Sequence, residues 1–137
     1  LMPLGAYGWS KKYAWVIDKY GVNWQLDIDD INSQQKIVPT LLFVNEKKES
    51  VKVAITYYQS IFTDSRILLE APYGADSQLP SGTLLFVQMK LSDFILNAMS
   101  STVPHNFDFT PGVSFVIECE DQQQIDYYWE KLGKDGR

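Results

Sequence analysis

Two stretches of this chain pass from the apolar pattern of a strand to that of a helix, and this repeated order is the strongest constraint on its fold. The stretch "VPTLLFVN" is mostly apolar and predicts a strand, whereas "ESVKVAITYYQSIF", which follows it, repeats apolar residues every three or four positions. Farther along, "VSFVIECE" predicts a strand and "DQQQIDYYWEKL" predicts a second helix. The chain therefore contains two strand-then-helix passages.

Each predicted helix carries an apolar stripe. In the first helix the stripe comprises Val51, Ala54, Ile55, Tyr58, Ile61 and Phe62, and in the second it comprises Ile125, Tyr128, Trp129 and Leu132. We expect Asp121 to cap the second helix, Gln124 to complete a capping box, and Gly133 to end the helix.

Three short apolar runs follow the first helix. They read "SRILLEAPYG", "GTLLFVQMKL" and "DFILNAMS", and turn-forming residues separate them. This arrangement predicts an antiparallel meander. Residues 37–99 are therefore expected to form a complete βαβββ unit, and residues 113–137 the start of a second one.

The first 28 residues have the pattern of further strands. Residues 13–17 and 22–28 alternate around Asp18-Lys19-Tyr20-Gly21, which predicts two antiparallel strands joined by a tight turn. We expect one face of the second strand to be buried, and this face carries Trp24, Leu26 and Ile28. We expect the other face, which carries Asn23, Gln25 and Asp27, to be more polar. Residues 29–36 are predicted to be a linker.

Composition bounds the class of protein. A chain of 137 residues is expected to form a single domain, and no apolar run approaches the roughly 20 residues that a membrane-spanning helix needs. The 12 basic residues are scattered among 17 acidic ones, which argues against a nucleic-acid partner. Cys119 is the only cysteine, so no intramolecular disulfide can form, and we expect a cytoplasmic protein.

Four stretches together resemble a known family. They are "KIVPTLLFVN", "YYQSIFTDSRI", "FDFTPGVSFVIECEDQQQIDYYWEKL" and "YGWSKKYAWVIDKYGVNWQL", and they cover well over half of the chain. The chain resembles the PhnB-like branch of the vicinal oxygen chelate superfamily, which includes glyoxalase, bleomycin-resistance and dihydroxybiphenyl dioxygenase proteins. The resemblance implies an α+β fold with paired βαβββ units, a curved antiparallel or mixed sheet, two main helices, and an N-terminal hairpin that completes the second unit.

The order of these stretches differs from that of the family. In the family, the counterpart of residues 7–26 follows the "YYWEKL" helix, whereas here it precedes the first unit. The resemblance therefore implies a permuted chain, or a fragment of a longer protein with two such repeats. We expect the hairpin to complete the second unit either from the same chain or from a neighbouring chain by strand exchange, and we favour a homodimer.

The resemblance also implies where a metal would bind. Enzymes of the superfamily typically hold a divalent metal through His, Glu or Asp on inner strands, but the matching positions here are Gln25, Asn97 and Ser114. Amides and hydroxyls are weak ligands for transition metals, so we predict neither a metal nor another cofactor. His105, the only histidine, lies in a predicted loop. As a general acid or base it would have Asp108 as its nearest carboxylate, and the alternative is a solvated loop side chain.

We predict that the protein binds an unidentified small molecule in a partly aromatic cleft. The candidate ligand-binding residues are Gln25, Asn97, Ser114, Trp24, Trp15, Phe43, Phe86 and His105. For the amides, the alternative is hydrogen bonding to nearby backbone, and for the aromatic residues it is ordinary core packing. The rival functions are a metal-dependent lyase, isomerase or dioxygenase-type enzyme, and a structural module of a tandem-repeat protein. The sequence leaves open whether any catalysis occurs.

The resembling branch also carries a demethylubiquinone methyltransferase name. The chain has no glycine-rich strand-to-helix turn that would cradle a nucleotide cofactor, and the predicted strand order is not that of a doubly wound fold. The sequence therefore does not support methyl transfer.

Overall fold

The computed structural model describes residues 1–28 and 35–136. Contacts within the chain divide it into two compact units, Leu1–Lys36 and Ile37–Arg137. Most of the predicted linker, residues 29–34, lies outside the described residues. The expectation of a single domain stays a prediction.

The first unit is a three-stranded antiparallel sheet, hereafter the N-terminal sheet. Its strands are β1 (Met2–Tyr7), β2 (Ser10–Ile17) and β3 (Asn23–Asp27), in the order β1-β2-β3. The predicted turn joins β2 to β3. Gly21 has a φ of +88°, which glycine adopts without strain, and its N–H donates to the carbonyl oxygen of Asp18 at 3.0 Å.

In the N-terminal sheet, side chains alternate between the two faces as predicted, but the apolar face of β3 is not buried. Val16 pairs with Trp24 and Ala14 with Leu26, so these four side chains share one face. Every residue of β3 is exposed, however, and the expectation that the face with Trp24 and Leu26 is buried is wrong. The physical reason is that an apolar face is buried only when a second layer packs on it, and this unit is a single layer.

The second compact unit, Ile37–Arg137, contains the predicted complete βαβββ unit and a second helix. Its elements in chain order are β4 (Thr40–Phe43), a short 3₁₀ turn (Asn45–Lys47), α1 (Val51–Ile61), β5 (Ser65–Pro72), β6 (Leu84–Leu91), β7 (Phe94–Ser100) and α2 (Gln122–Gly133). The sheet order is β4-β7-β6-β5, in which β4 runs parallel to β7 and the other neighbours are antiparallel. The predicted α+β fold with two main helices is confirmed.

Helix α1 packs on one face of this four-stranded sheet. Val51, Ile55 and Ile61 are buried, and Ala54, Tyr58 and Phe62 are partly buried, as the apolar stripe predicts. The sheet residues of the core are Phe43, Leu84, Val87, Met89, Leu91, Leu96 and Ala98. The core of this unit therefore lies between α1 and this face of the sheet.

Helix α2 begins and ends as predicted. Asp121 accepts a hydrogen bond from the N–H of Gln124 at 2.8 Å, and Gly133 is the last helical residue. The Gln124 side chain reaches back to the N–H of Glu120 at 3.1 Å, one residue before the cap, so the box is displaced by one position.

The contacts of α2 are made with α1, at one side of its stripe. The hydroxyl of Tyr127 donates to the carbonyl oxygen of Ile61 at 2.8 Å, and the ring of Tyr128 lies 5.5 Å from that of Phe62. No residue of α2 is buried. The predicted stripe residues Ile125, Trp129 and Leu132 are exposed.

Residues 113–120 do not form the strand that their pattern predicts. They have no ladder partner within residues 1–28 and 35–136, and Val116 is 85% exposed. A strand needs a neighbour that satisfies its N–H and C=O groups, and apolar alternation does not supply one. The prediction of a strand over residues 113–120 is therefore wrong.

Substitutions of two valines on α1 can test which side of the helix is buried. Val51 is fully buried and Val53 is 72% exposed. We expect Val51→Ala to lower the free energy of unfolding by about 2 kcal/mol, because it removes two buried carbon atoms and leaves a cavity. We expect Val53→Ala to change it by less than about 0.5 kcal/mol. Urea unfolding measures both, and equal losses would contradict the packing described.

Candidate functional site

Three strands of the second unit bring polar side chains into a line on the sheet face opposite α1. The register pairs Thr40 with Asn97 and Asn97 with Gln88. Side chains alternate along a strand, and the neighbours of Gln88 and Asn97, such as Met89 and Ala98, pack in the core beneath α1. Thr40, Asn97 and Gln88 therefore lie together on the second face, and we call them the polar row.

Hydrogen bonds connect the polar row but leave one atom without a partner. Gln88 Nε2 donates to Asn97 Oδ1 at 3.0 Å, and Asn97 Nδ2 approaches Thr40 Oγ1 at 3.5 Å, which is long for a hydrogen bond. Gln88 is only 6% exposed, yet its Oε1 accepts no hydrogen bond from the described residues. A buried acceptor without a partner costs about 1–3 kcal/mol, and native structures usually satisfy such groups.

Apolar side chains lie beside the polar row on the same face. The register places Leu42 and Phe86 opposite Met99 on neighbouring strands, and all three side chains are half-buried. An apolar surface with a few placed polar groups is the usual composition of a small-molecule site.

The other end of this face is charged and already paired. Lys90 Nζ lies 3.2 Å from Asp93 Oδ1 and 3.5 Å from Asp64 Oδ2. Both carboxylates are exposed, and the lysine is half-buried between them. Lys90 therefore contributes little net charge toward the polar row.

The structure separates the predicted residues of this unit. Asn97 and Phe86 lie on the face of the polar row, whereas Phe43 is buried beneath α1 and contacts the Phe109 ring edge-on at 5.0 Å. Thr40 and Gln88 were not predicted. The available signal for Gln88 was a single amide inside the apolar run "LLFVQMKL".

Gln25 lies in the N-terminal sheet and has its own partner. Its Oε1 accepts a hydrogen bond from the Tyr13 hydroxyl at 2.7 Å. Burial raises the pKa of Tyr13, and the charge of Asp27 and the neighbouring Tyr7 raise it further. The hydroxyl therefore stays protonated and remains a donor to Gln25 at neutral pH.

The two predicted tryptophans lie on opposite faces of the N-terminal sheet. Trp15 shares the face of Gln25, and its Nε1 donates to Asn23 Oδ1 at 3.1 Å. Trp24 lies on the apolar face, and its Nε1 donates to Asp18 Oδ2 at 2.9 Å. Trp15 and Trp24 therefore cannot line one surface of this sheet.

His105 lies in a loop that Asn45 holds. Asn45 accepts a hydrogen bond from the His105 N–H and donates to its carbonyl oxygen, both at 3.0 Å. The His105 ring lies 3.0 Å from the Ser101 hydroxyl. Asp108 bonds Lys47 at 2.6 Å, and this hydrogen bond lowers the pKa of Asp108. His105 and Asp108 thus have separate partners.

Neither of the surface depressions is lined by a residue of the polar row. Ser114 is exposed in residues 113–120. Two open depressions of about 420 and 490 Å³ lie along the exposed side of α1 and at the C-terminal end of α2. Among the described residues, no group of three His, Cys, Asp or Glu side chains is placed to hold a metal ion. None of the described helices is both long and apolar enough to cross a membrane.

Comparison with known proteins identifies a matching family and similar solved structures. A family model described as 3-demethylubiquinone-9 3-methyltransferase matches residues 35–137. A solved structure from Bacillus cereus, described as a PhnB protein and a 3-demethylubiquinone-9 3-methyltransferase, superposes with a TM-score of 0.65 at 31% sequence identity. The match covers 74% of this chain and 75% of that one. No curated protein sequence matches the chain.

The contact between Trp24 and Asp18 can be tested through acidity. The hydrogen bond from the Trp24 indole lowers the pKa of Asp18, and the N–H groups of Val22 and Tyr20 add to the effect. We expect Trp24→Phe to raise this pKa toward the ordinary value of about 3.9. Trp15→Phe is the matched control, because that indole bonds an amide instead. NMR titration of the Asp18 carboxyl measures both variants.

The lowered pKa of Asp18 also determines how its hydrogen bonds affect stability as pH changes. Because the folded-state pKa of Asp18 is the lower one, its hydrogen bonds stabilise the fold above the unfolded-state pKa, and this contribution is lost as pH falls through the folded-state value. Trp24→Phe should therefore lose less stability on acidification than the wild type. An Asp18 pKa that Trp24→Phe leaves unchanged would contradict the assignment.

Proposed function

This chain belongs to the PhnB-like family described as 3-demethylubiquinone-9 3-methyltransferase, and we propose that it binds a small organic molecule on the sheet face of the polar row. One observation carries the proposal: the Gln88 amide is buried, and its oxygen accepts no hydrogen bond from the described residues. A bound molecule would supply the missing donor.

The surroundings of Gln88 define the chemistry of the ligand. A hydroxyl or N–H group would donate to Gln88 Oε1, and Asn97 Nδ2, which has only a long contact to Thr40, would be available to donate to the ligand. An apolar body would pack against Phe86 and Met99. A hydroxyl serves best, because it both donates and accepts and would still match Gln88 if its amide were rotated end for end.

The donor atoms of the polar row do not fit a transition metal. They are two amides and one hydroxyl, whereas such metals take imidazole, thiolate or carboxylate ligands. We therefore propose binding without a metal.

The family description names a methyl transfer, and we do not extend that activity to this chain. Nucleotide-type cofactors in open α/β folds bind beyond the carboxyl ends of several parallel strands, at a switch in strand order. The described sheets contain one parallel pair, β4 with β7, and otherwise antiparallel neighbours. Ligand binding is the function that this geometry supports.

We also propose a cytoplasmic location. It rests on the single cysteine of the chain, Cys119, which cannot form an intramolecular disulfide. Its side chain is partly buried, and its sulfur lies 3.7 Å from the carbonyl oxygen of Ile117.

Substitution of Gln88 tests the ligand site directly. A panel of hydroxylated and N–H-bearing metabolites is first screened for compounds that raise the melting temperature of the wild type. A ligand at 100 times its Kd stabilises by about 2.7 kcal/mol. We expect Gln88→Leu to abolish this shift, and Gln78→Leu, in the exposed loop between β5 and β6, to keep it. An undiminished shift in Gln88→Leu would place binding elsewhere, and a panel with no active compound would count against the proposal.

Metal analysis distinguishes metal-free ligand binding from the alternative function, a metal-dependent lyase, isomerase or dioxygenase-type enzyme. We expect the purified protein, prepared without chelators, to contain no stoichiometric Zn, Fe, Mn or Ni by inductively coupled plasma mass spectrometry. We also expect dialysis against EDTA to leave the ligand-induced melting shift unchanged. One equivalent of metal per chain, or loss of the shift after dialysis, would favour the metal-dependent enzyme.

A further inference from the structure

An arginine on strand β5 lies on the same sheet face as the polar row. Arg66 pairs with Lys90 across the antiparallel ladder, and directly opposite residues share a face. The two chain neighbours of Arg66 lie on the other face. The Ser65 hydroxyl donates to the Gln59 carbonyl oxygen of α1, and Ile67 packs against the core beneath α1. Arg66 therefore belongs to the face of the polar row.

The Arg66 guanidinium has no partner within the described residues. Its side chain is exposed, donates no hydrogen bond to these residues and forms no ion pair with them. The carboxylates at this end of the sheet, Asp64 and Asp93, both lie against Lys90. Like charges directly opposite each other in a ladder are unfavourable. The position beside Arg66 therefore favours an anion.

The groups on this face follow a fixed order along β6. Phe86, Gln88 and Lys90 are two residues apart, so their side chains succeed one another on one face at intervals of about 7 Å. Arg66, opposite Lys90, is a diagonal neighbour of Gln88, at about 7–8 Å, a separation within the reach of long side chains. An apolar surface, an acceptor without a partner and an unpaired cation therefore lie next to one another in that order.

This order defines the class of ligand. We infer that the polar row binds a hydroxylated carboxylic acid with an apolar tail, and that Arg66 binds the carboxylate. The inference rests on the ligand site proposed above and names the chemistry of its ligand. The tail packs against Phe86 and Met99, and the hydroxyl donates to Gln88 Oε1. The hydroxyl lies only a few bonds from the carboxylate, because Gln88 and Arg66 are diagonal neighbours.

A carboxylate fits this position better than a phosphate. The planar guanidinium presents paired N–H groups that match the two oxygens of a carboxylate. A phosphate monoester carries about 1.5 to 2 negative charges at neutral pH and would need a second unpaired cation. Lys90 does not supply one, since two carboxylates already lie against it. A single negative charge therefore matches the single unpaired cation.

The test measures binding of 3-hydroxyoctanoate and of its methyl ester by isothermal titration calorimetry. We expect the wild type to bind the acid about tenfold more tightly than the ester, because the ester lacks the charge that Arg66 binds. Arg66→Gln should remove this difference. Lys52→Gln is the matched control, since it removes one positive charge from the exposed side of α1, and it should keep the difference. Melting of the unliganded variants checks that each is folded.

Equal binding of acid and ester by the wild type would overturn the inference, and so would a preference for the acid that Arg66→Gln leaves unchanged. Failure of 3-hydroxyoctanoate to bind would also overturn it, whereas the metabolite panel described above judges the ligand site itself.

Octanoate distinguishes a failure of this inference from a failure of the proposed function. It keeps the carboxylate and lacks the hydroxyl, so the wild type should bind it more weakly than 3-hydroxyoctanoate, and Gln88→Leu should bind the two alike. If the wild type prefers the hydroxylated acid but binds its ester equally well, Arg66 has no part in recognition and the polar row remains the site. If the wild type binds octanoate and 3-hydroxyoctanoate alike, Gln88 does not recognise a hydroxyl, and both proposals fail.

Discussion

The parallel pairing of β4 with β7 is the contact on which the second unit depends. It joins residues 40–43 to residues 97–100 and so closes the βαβββ unit around α1. The same register places Phe43 in the core and Thr40 beside Asn97 on the opposite face. A slip of one residue would exchange these faces, which would bury the threonine and expose the phenylalanine. Core and candidate site are therefore two consequences of a single register.

The elements that the sequence predicts correctly are those that local chemistry decides. The stripe of α1 follows from helical spacing, and the turn after β2 follows from Asp18 and Gly21, whose side chain and backbone fit that geometry. The cap at Asp121 is likewise local. Residues 113–120 and the apolar face of β3 fail as predictions because pairing and burial require a partner. A pattern shows what a segment can pair with, and it does not show that the partner is present.

Only part of the candidate site can likewise be predicted from the sequence. Asn97 could be named from the resemblance, but Gln88 and Thr40 join it only through the register of three strands, and register is a non-local property. Phe43 shows the complementary difficulty. It is three residues from Thr40 in the same short strand, so alternation places it on the opposite face, and only the position of α1 decides which face is core.

The Gln88 amide places a cost on the fold that a leucine of similar size would avoid. A buried oxygen without a donor costs about 1–3 kcal/mol, a sizeable part of the 5–15 kcal/mol by which domains are typically stable. Local violations of packing rules are expected where a site needs them, because a group left unsatisfied in the free protein is one that a ligand can satisfy. The Ser100 hydroxyl, also buried on β7, donates to the Leu84 carbonyl oxygen at 3.2 Å and so stabilises the fold instead. Of these two buried polar residues of one sheet, Ser100 has its hydrogen-bonding need met within the fold, whereas the Gln88 oxygen does not.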